Sequence, residues 1–173
     1  MKSLLITGAT GNLGHAVVAR FEKEYRCIAI DRGDLPKVDS AFGVLHLAGA
    51  FTAGSRPEDF EKMLDASVMS GVRVIESVRD KIEDDGRIVA ISSIASLTKP
   101  VGLAAYAAAK SALNAYIEVL AKELQKRRIT ANALLPSTLG EGGVPLERVN
   151  AAIAFLLSAD AASITGQLIA LTA

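Results

Sequence analysis

The chain has 173 residues, half of them hydrophobic and 22% charged, enough for one domain around a single sizeable core. Its 19 basic and 19 acidic residues cancel, which argues against nucleic acid or an anionic membrane surface as a partner. No apolar run reaches the ~18 residues of a membrane span, and the glycines after "MKSLLIT" come too early for a signal peptide. The lone cysteine, Cys27 in "CIAI", reads as a small buried hydrophobe, so a cytoplasmic domain is expected.

Apolar runs alternate with helix-like stretches along the whole chain. "SLLIT" (3–7) reads as a strand and "NLGHAVVARFEKEY" (12–25) as an amphipathic helix. Strands follow at 27–31 and 42–49, then a long helical stretch around 57–83 that opens with proline and acids in its first turn. A fourth strand is expected at 87–93, a second long helix at 102–127, a fifth strand at 129–136, a helix at 146–158 and a sixth strand at 166–173. Near-continuous apolar strands separated by helices imply a parallel sheet covered on both faces. The fold expected is therefore α/β, a Rossmann-like doubly wound parallel sheet of about six strands, in one domain spanning residues 1–173.

"TGATGNLG" (7–14) joins the first strand to the first helix, with Gly8, Gly11 and Gly14 in the turn. Such a turn lets backbone N–H groups and a helix N-terminus approach a phosphate closely. Asp31 lies 17 residues beyond Gly14, at the end of the second strand, where a dinucleotide fold places an acid to accept hydrogen bonds from ribose hydroxyls. A carboxylate there repels a 2′-phosphate and favours NAD; Arg32, next in the chain, leaves NADP as the alternative.

In "YAAAKSALNAY" (106–116), Tyr106 and Lys110 are one helical turn apart and share a face. Ser93 precedes Tyr106 by 13 residues, at the end of the fourth strand, and ligands of doubly wound sheets bind beyond those strand ends. A carbonyl reductase needs a proton donor as hydride arrives. A free phenol titrates near 10, an ammonium close by favours the phenolate, and Lys110 supplies one. The intervening alanines read as room for substrate and cofactor.

These residues, with "LAGA" (47–50), "ITANALLP" and the C-terminal run 152–173, resemble the short-chain dehydrogenase/reductase family over nearly the whole chain. The resemblance implies hydride transfer to or from a carbonyl or alcohol of a small-molecule substrate, or a related double bond such as a pterin. It implies Tyr106 as acid/base, Lys110 holding the nicotinamide ribose and Ser93 on the substrate carbonyl. It further implies a cofactor held by Gly8, Gly11, Asn12, Leu13, Gly14, Asp31, Arg32, Ala48, Gly49, Tyr106, Lys110 and Thr138.

Four departures stand against that pattern. The glycine spacing is G-x-x-G-x-x-G, with a faint likeness to dihydropteridine-reductase-like members. The link from Asp31 to the third strand is too short for the usual extra strand and helix. Ser67 stands where many relatives have an asparagine. "PSTLGEGGVP" (136–145) is too short for a substrate lid. An alternative is therefore a nucleotide-binding sensor or scaffold with little or no catalysis.

His46 reads as a core or cofactor-lining residue rather than a catalytic one, and no metal-ligand spacing occurs. The helices around 60–80 and 103–121 are apolar round much of their circumference, and relatives commonly pair them, so a homodimer or homotetramer is expected.

Overall fold

Six strands form one parallel sheet in the computed structural model, which describes residues 1–173. They are β1 (Ser3–Thr7), β2 (Arg26–Ile30), β3 (Ala41–His46), β4 (Ile82–Ile91), β5 (Thr130–Pro136) and β6 (Leu168–Leu171), in the order β2-β1-β3-β4-β5-β6. Nearly every residue of β1, β3 and β5 and the second half of β4 is buried, whereas β2 and β6 are partly exposed at the edges. The expected Rossmann-like α/β sheet of six parallel strands is present.

Successive side chains of β1 go to opposite faces. Leu4 and Ile6 join Val17, Phe21, Leu45, Val89 and Ile153 in one core, beneath α1 (Asn12–Phe21) and α6 (Leu146–Leu157). Leu5 joins Val44, Ile75, Ile88, Leu113 and Ile117 in the other. That second core lies under α2 (Pro57–Leu64), α3 (Ser70–Val78) and α5 (Ala104–Glu123). A short helix, α4 (Ala95–Thr98), follows β4. Helices α3 and α5 are tied together by Tyr116 Oη donating to Glu76 at 2.8 Å and by Arg79 to Glu123 at 2.6 Å.

Several boundaries differ from the sequence reading. The helix expected over 12–25 stops at Phe21, because Tyr25 turns inward to stack on Phe42 with ring centroids 5.8 Å apart. The stretch expected as one helix over 57–83 is divided by a wide π turn, Asp65–Met69, in which the Ser70 N–H bonds the Asp65 carbonyl five residues back. Ser70 Oγ also donates to the Ala66 carbonyl at 2.7 Å, a back-bond that loosens a helix. Strand β4 begins at Ile82 through a bulge opposite Ala41–Gly43 and ends at Ile91, so Ser93 lies two residues beyond it.

Residues 31–40 connect β2 to β3 without helix or strand. Pro36 is buried and Val38 packs on the α3/α5 core, which pins this strap to the sheet. Residues 137–145 form a tight return closed by Val144 N–H donating to Thr138 O at 2.7 Å and Gly140 N–H to Val144 O at 2.9 Å. No helix lies over the sheet at that point, as the segment's length requires.

Candidate functional site

The parallel register brings the strand ends to one rim. Thr7 pairs with Ile30 on one side and His46 on the other, His46 with Ala90, and Ile91 with Leu134. The residues that follow, namely Gly8, Asp31, Leu47 to Gly49, Ser92, Ser93 and Thr138, therefore lie along a common edge.

A cleft of about 310 Å³ opens at this rim. Gly8 and Gly11 form its floor, Asp31 and Arg32 one side, and Ala48 and Gly49 the other. Of the residues expected to hold a cofactor, these six share the cleft. Asn12, Leu13 and Gly14 form the first turn of α1 behind it, and Leu13 is buried in the core. Thr138 belongs to the return after β5, outside the cleft lining.

The three glycines serve different ends. Gly8 has φ +72°, and a Cβ there would lie 2.7 Å from the Ala48 nitrogen; a Cβ at Gly14 would lie 2.2 Å from the Gly8 carbonyl oxygen. Both are required by the fold itself. At Gly11 a Cβ would meet nothing nearer than Gly8 O at 3.5 Å, so no neighbour in the protein demands glycine there. Gly11 is also the N-cap of α1, which has no side-chain cap. Its open first turn can accept an anion through backbone N–H groups and the helix dipole.

Lys110 connects this cleft to Tyr106. Its side chain is 4% exposed, and its Nζ donates to the Ile91 carbonyl at 3.0 Å. Burial pushes the ammonium down to about 8, and with three protons it keeps two donors beyond the one that Ile91 takes. A methyl group on Gly49 would stand 3.3 Å from Lys110 Nζ and 3.6 Å from Ser67 Oγ, so the cleft wall borders both groups. Ser67 sits in the π turn, and its buried hydroxyl has no partner in the protein. Lys110 Nζ lies 5.9 Å from the Tyr106 ring centroid, and the ring meets Phe51 edge-on with centroids 5.1 Å apart.

Ser93 is buried, and its Oγ accepts the Ala95 N–H at 3.2 Å, which leaves its own proton free to donate. Ser96 Oγ donates to the Ser93 carbonyl at 2.7 Å, and Asn114 Nδ2 donates to Ser96 Oγ at 2.8 Å. This support was not anticipated, although Asn114 follows Lys110 by one turn on the same helix face and so could have been noticed. Of the alanines between Tyr106 and Lys110, expected to leave room for a ligand, Ala108 is exposed but Ala107 and Ala109 are buried against the protein itself. Ala105 and Ala109 belong to the core and Ala107 is also buried, because small side chains let α5 lie close to its neighbours.

On the α3 side the cleft is lined by Asp65, Ala66, Ser70, Arg73 and Val74, and on the strap side by Leu35, which is 56% exposed. Sequence reasoning missed these residues, since nothing in their spacing marks them.

A family model described as short chain dehydrogenase matches residues 38–141. The 3-oxoacyl-(acyl-carrier-protein) reductase FabG of Rickettsia felis is 27% identical, with 97% of this chain and 94% of that protein covered. That comparison spans 227 aligned positions against a chain of 173 residues, so more than fifty positions have no counterpart here. The corresponding reductase of Rickettsia conorii is 32% identical over 66% of this chain and 57% of that protein. Among solved structures, a short chain dehydrogenase family protein from Francisella tularensis superposes with a TM-score of 0.86 at 21% identity, over 99% of this chain and 97% of that one. Acetoin dehydrogenase from Enterobacter cloacae gives 0.84 at 20% identity, over 98% and 94%.

Proposed function

The chain belongs to the short-chain dehydrogenase family, and on that premise we propose that it is a nicotinamide-dinucleotide-dependent oxidoreductase acting on a carbonyl/alcohol pair. The observation that carries this reading is the position of Lys110, a buried ammonium one turn beyond Tyr106 that also borders Gly49 in the cleft wall.

The residues present fit a dinucleotide. The space above Gly11 serves no intrachain purpose, the start of α1 is uncapped, and Asp31 lines the same cleft. In this reading Gly8, Gly11 and the first-turn amides of Asn12, Leu13 and Gly14 hold the pyrophosphate, and Asp31 accepts from the adenosine ribose. Ala48, Gly49 and Thr138 line the path toward the nicotinamide. Asp31 favours NAD, with Arg32 as the feature that would admit NADP. The bound nicotinamide supplies or takes the hydride.

The protein's own part is proton transfer and charge placement. Tyr106 gives its phenolic proton to the substrate oxygen as the carbonyl is reduced, or removes the alcohol proton in the reverse direction. Ser93 donates its free O–H to the same oxygen, held in place by Ser96 and Asn114. Lys110 keeps positive charge beside the phenol and offers its two remaining donors to the nicotinamide ribose. The unpartnered Ser67 hydroxyl, across Gly49 from Lys110, suits a bridging water in place of the usual asparagine. The relatives' names point to ketones with a neighbouring oxygen function, which makes short 3-oxoacyl thioesters and acetoin the first substrates to try.

Self-association is part of this reading. Leu64, Met69 and Val119, on or beside the two long helices, remain 37%, 41% and 50% exposed, apolar surface that a second copy would cover.

Titration with NADH and NADPH tests the proposal. Binding of NADH at least tenfold tighter than NADPH supports Asp31 as ribose acceptor. Tyr106→Phe is then expected to lower kcat by about 10²–10⁴-fold, the usual worth of a general acid, with NADH affinity kept within about twofold. If neither nucleotide binds below millimolar concentration, the oxidoreductase reading fails and a scaffold role replaces it.

A further inference from the structure

His46 is wholly buried at the end of β3 and does not line the cleft, yet both of its ring nitrogens are engaged by segments that do. Nδ1 lies 2.7 Å from Thr7 Oγ1, and Nε2 lies 3.0 Å from the Ser67 carbonyl. A carbonyl can only accept, so Nε2 carries the proton. Nδ1 must then accept from Thr7, whose oxygen in turn accepts the Ala48 N–H at 3.3 Å. One directional chain results, running from Ala48 N–H through the Thr7 hydroxyl and the neutral imidazole to the Ser67 carbonyl.

We propose that His46 is a positioning residue for the dinucleotide cleft, fixing the relative placement of its glycine turn, its β3 loop and its π turn through this chain. The proposal rests on the dinucleotide reading above and adds to it a residue that touches neither cofactor nor substrate.

Three observations carry it. Each end of the chain belongs to a different wall, since Thr7, Ala48 and Ala66, the neighbour of Ser67, all line the cleft. The contact falls on the π turn, an unusual helix feature that often marks functional sites; this turn brings Asp65 and Ala66 to the cleft, ahead of Ser70 and Arg73 on α3, and holds the Ser67 hydroxyl near Gly49. The ring also lies flush against α3, where a Cβ on Gly71 would sit 2.7 Å from it. Helix and imidazole therefore fix each other's positions, and a core residue of merely similar size would fill the space without linking the walls.

The test uses Thr7→Val, which keeps shape and removes the hydroxyl, Thr7→Ser, which restores it, His46→Leu, and the Thr7→Val/His46→Leu double variant. NADH affinity, thermal midpoint and amide exchange of residues 65–71 are measured on each. The expected result is a roughly tenfold loss of NADH affinity in each single variant, recovery in Thr7→Ser, and a double variant no weaker than the worse single, as for two members of one network. Faster exchange over 65–71 should accompany the loss even without nucleotide. Should His46→Leu fold poorly, the Thr7 pair decides alone. Thr7→Val binding NADH like wild type, or losses that add in the double variant, overturns the proposal and leaves His46 as ordinary core. A wild type that binds no nucleotide overturns the parent reading and this one with it. Normal wild-type binding with unaffected variants overturns only this inference.

Discussion

Acid should destabilise this protein in a pH window that belongs to one side chain. Burial, reinforced by the nearby Lys110 charge and only partly offset by the bond to the Ser67 carbonyl, lowers the His46 imidazole from 6.5 to about 4. Between those values the unfolded chain binds a proton that the native chain refuses, so the stability that depends on His46 is complete above pH 6.5 and falls as pH drops toward 4. At about 1.4 kcal/mol per pKa unit, the full loss is about 3 kcal/mol, of which about 2 kcal/mol is spent by pH 4.5. Domains of this size hold only about 5–15 kcal/mol in total. Asp59 and Asp85, the carboxyl groups held low by Arg56 and Arg128 respectively, act only below their ordinary value of 3.8 and so leave the window clear. Urea unfolding at pH 7, 6, 5 and 4.5 should show the decline in wild type and a nearly level profile in His46→Leu. A level wild-type profile, or the same slope in both proteins, would refute a buried neutral imidazole.

Three further outcomes are expected. Lys110 is depressed from 10.5 to about 8 by burial, so the native state binds fewer protons than the unfolded one between those values. Stability should rise by about 1 kcal/mol from pH 7 to 9, and Lys110→Met should be about 1–3 kcal/mol more stable than wild type at pH 7 while losing activity; urea titrations and turnover assays check both. Gly14→Ala, facing a carbonyl oxygen at 2.2 Å, should fold poorly, whereas Gly11→Ala, with only a 3.5 Å neighbour, should keep its melting temperature and lose NADH affinity about tenfold or more; equal affinity in Gly11→Ala and wild type would remove the phosphate from this turn. Light scattering at micromolar concentration should show a dimer or tetramer, and Leu64→Glu or Met69→Glu should shift it toward monomer; a monomeric wild type would refute self-association through these helices.

What could be read from the sequence was whatever depends on local periodicity. Tyr106 and Lys110 share a helix face because of the 3.6-residue repeat, and the apolar runs mark the strands because a parallel sheet is buried on both sides. The glycine turn was visible by its spacing, although only Gly14 answers to a close contact inside the turn; Gly8 answers to Ala48, just beyond β3. The π turn was not visible. Met63, Val68, Val74, Ile75 and Val78 are all buried, so the apolar pattern continues through it, and the distortion is fixed by a tertiary bond from His46, 21 residues away from Ser67. Arg73 and Leu35 reach the cleft only because α3 and the strap meet around it, a fact of assembly with no local mark. The alanines at 105, 107 and 109 show the same limit from the other side: small residues signal close approach, but not of what.

The strap explains how the chain passes from β2 to β3 without a further strand or helix and still borders the cleft. Chain leaving the carboxyl end of β2 must return to the amino end of β3, across β1. Five residues of strand rise about 17 Å and two strand spacings add about 10 Å sideways, so the straight path is about 20 Å before any detour over the sheet face. Ten residues as a helix cover only about 15 Å, but extended they reach about 33 Å. An extended strap is therefore the one conformation that closes this connection at its length, and it needs anchoring because it has no ladder of its own. Val38, packed on the core, and the buried Pro36 provide that anchoring, while Asp34 N–H donates to Asp31 O at 3.1 Å and turns the strap's start across the rim. This turn leaves Asp31, Arg32 and Leu35 together on the cleft. The strap thus keeps on the cleft the acid that we assign to a ribose.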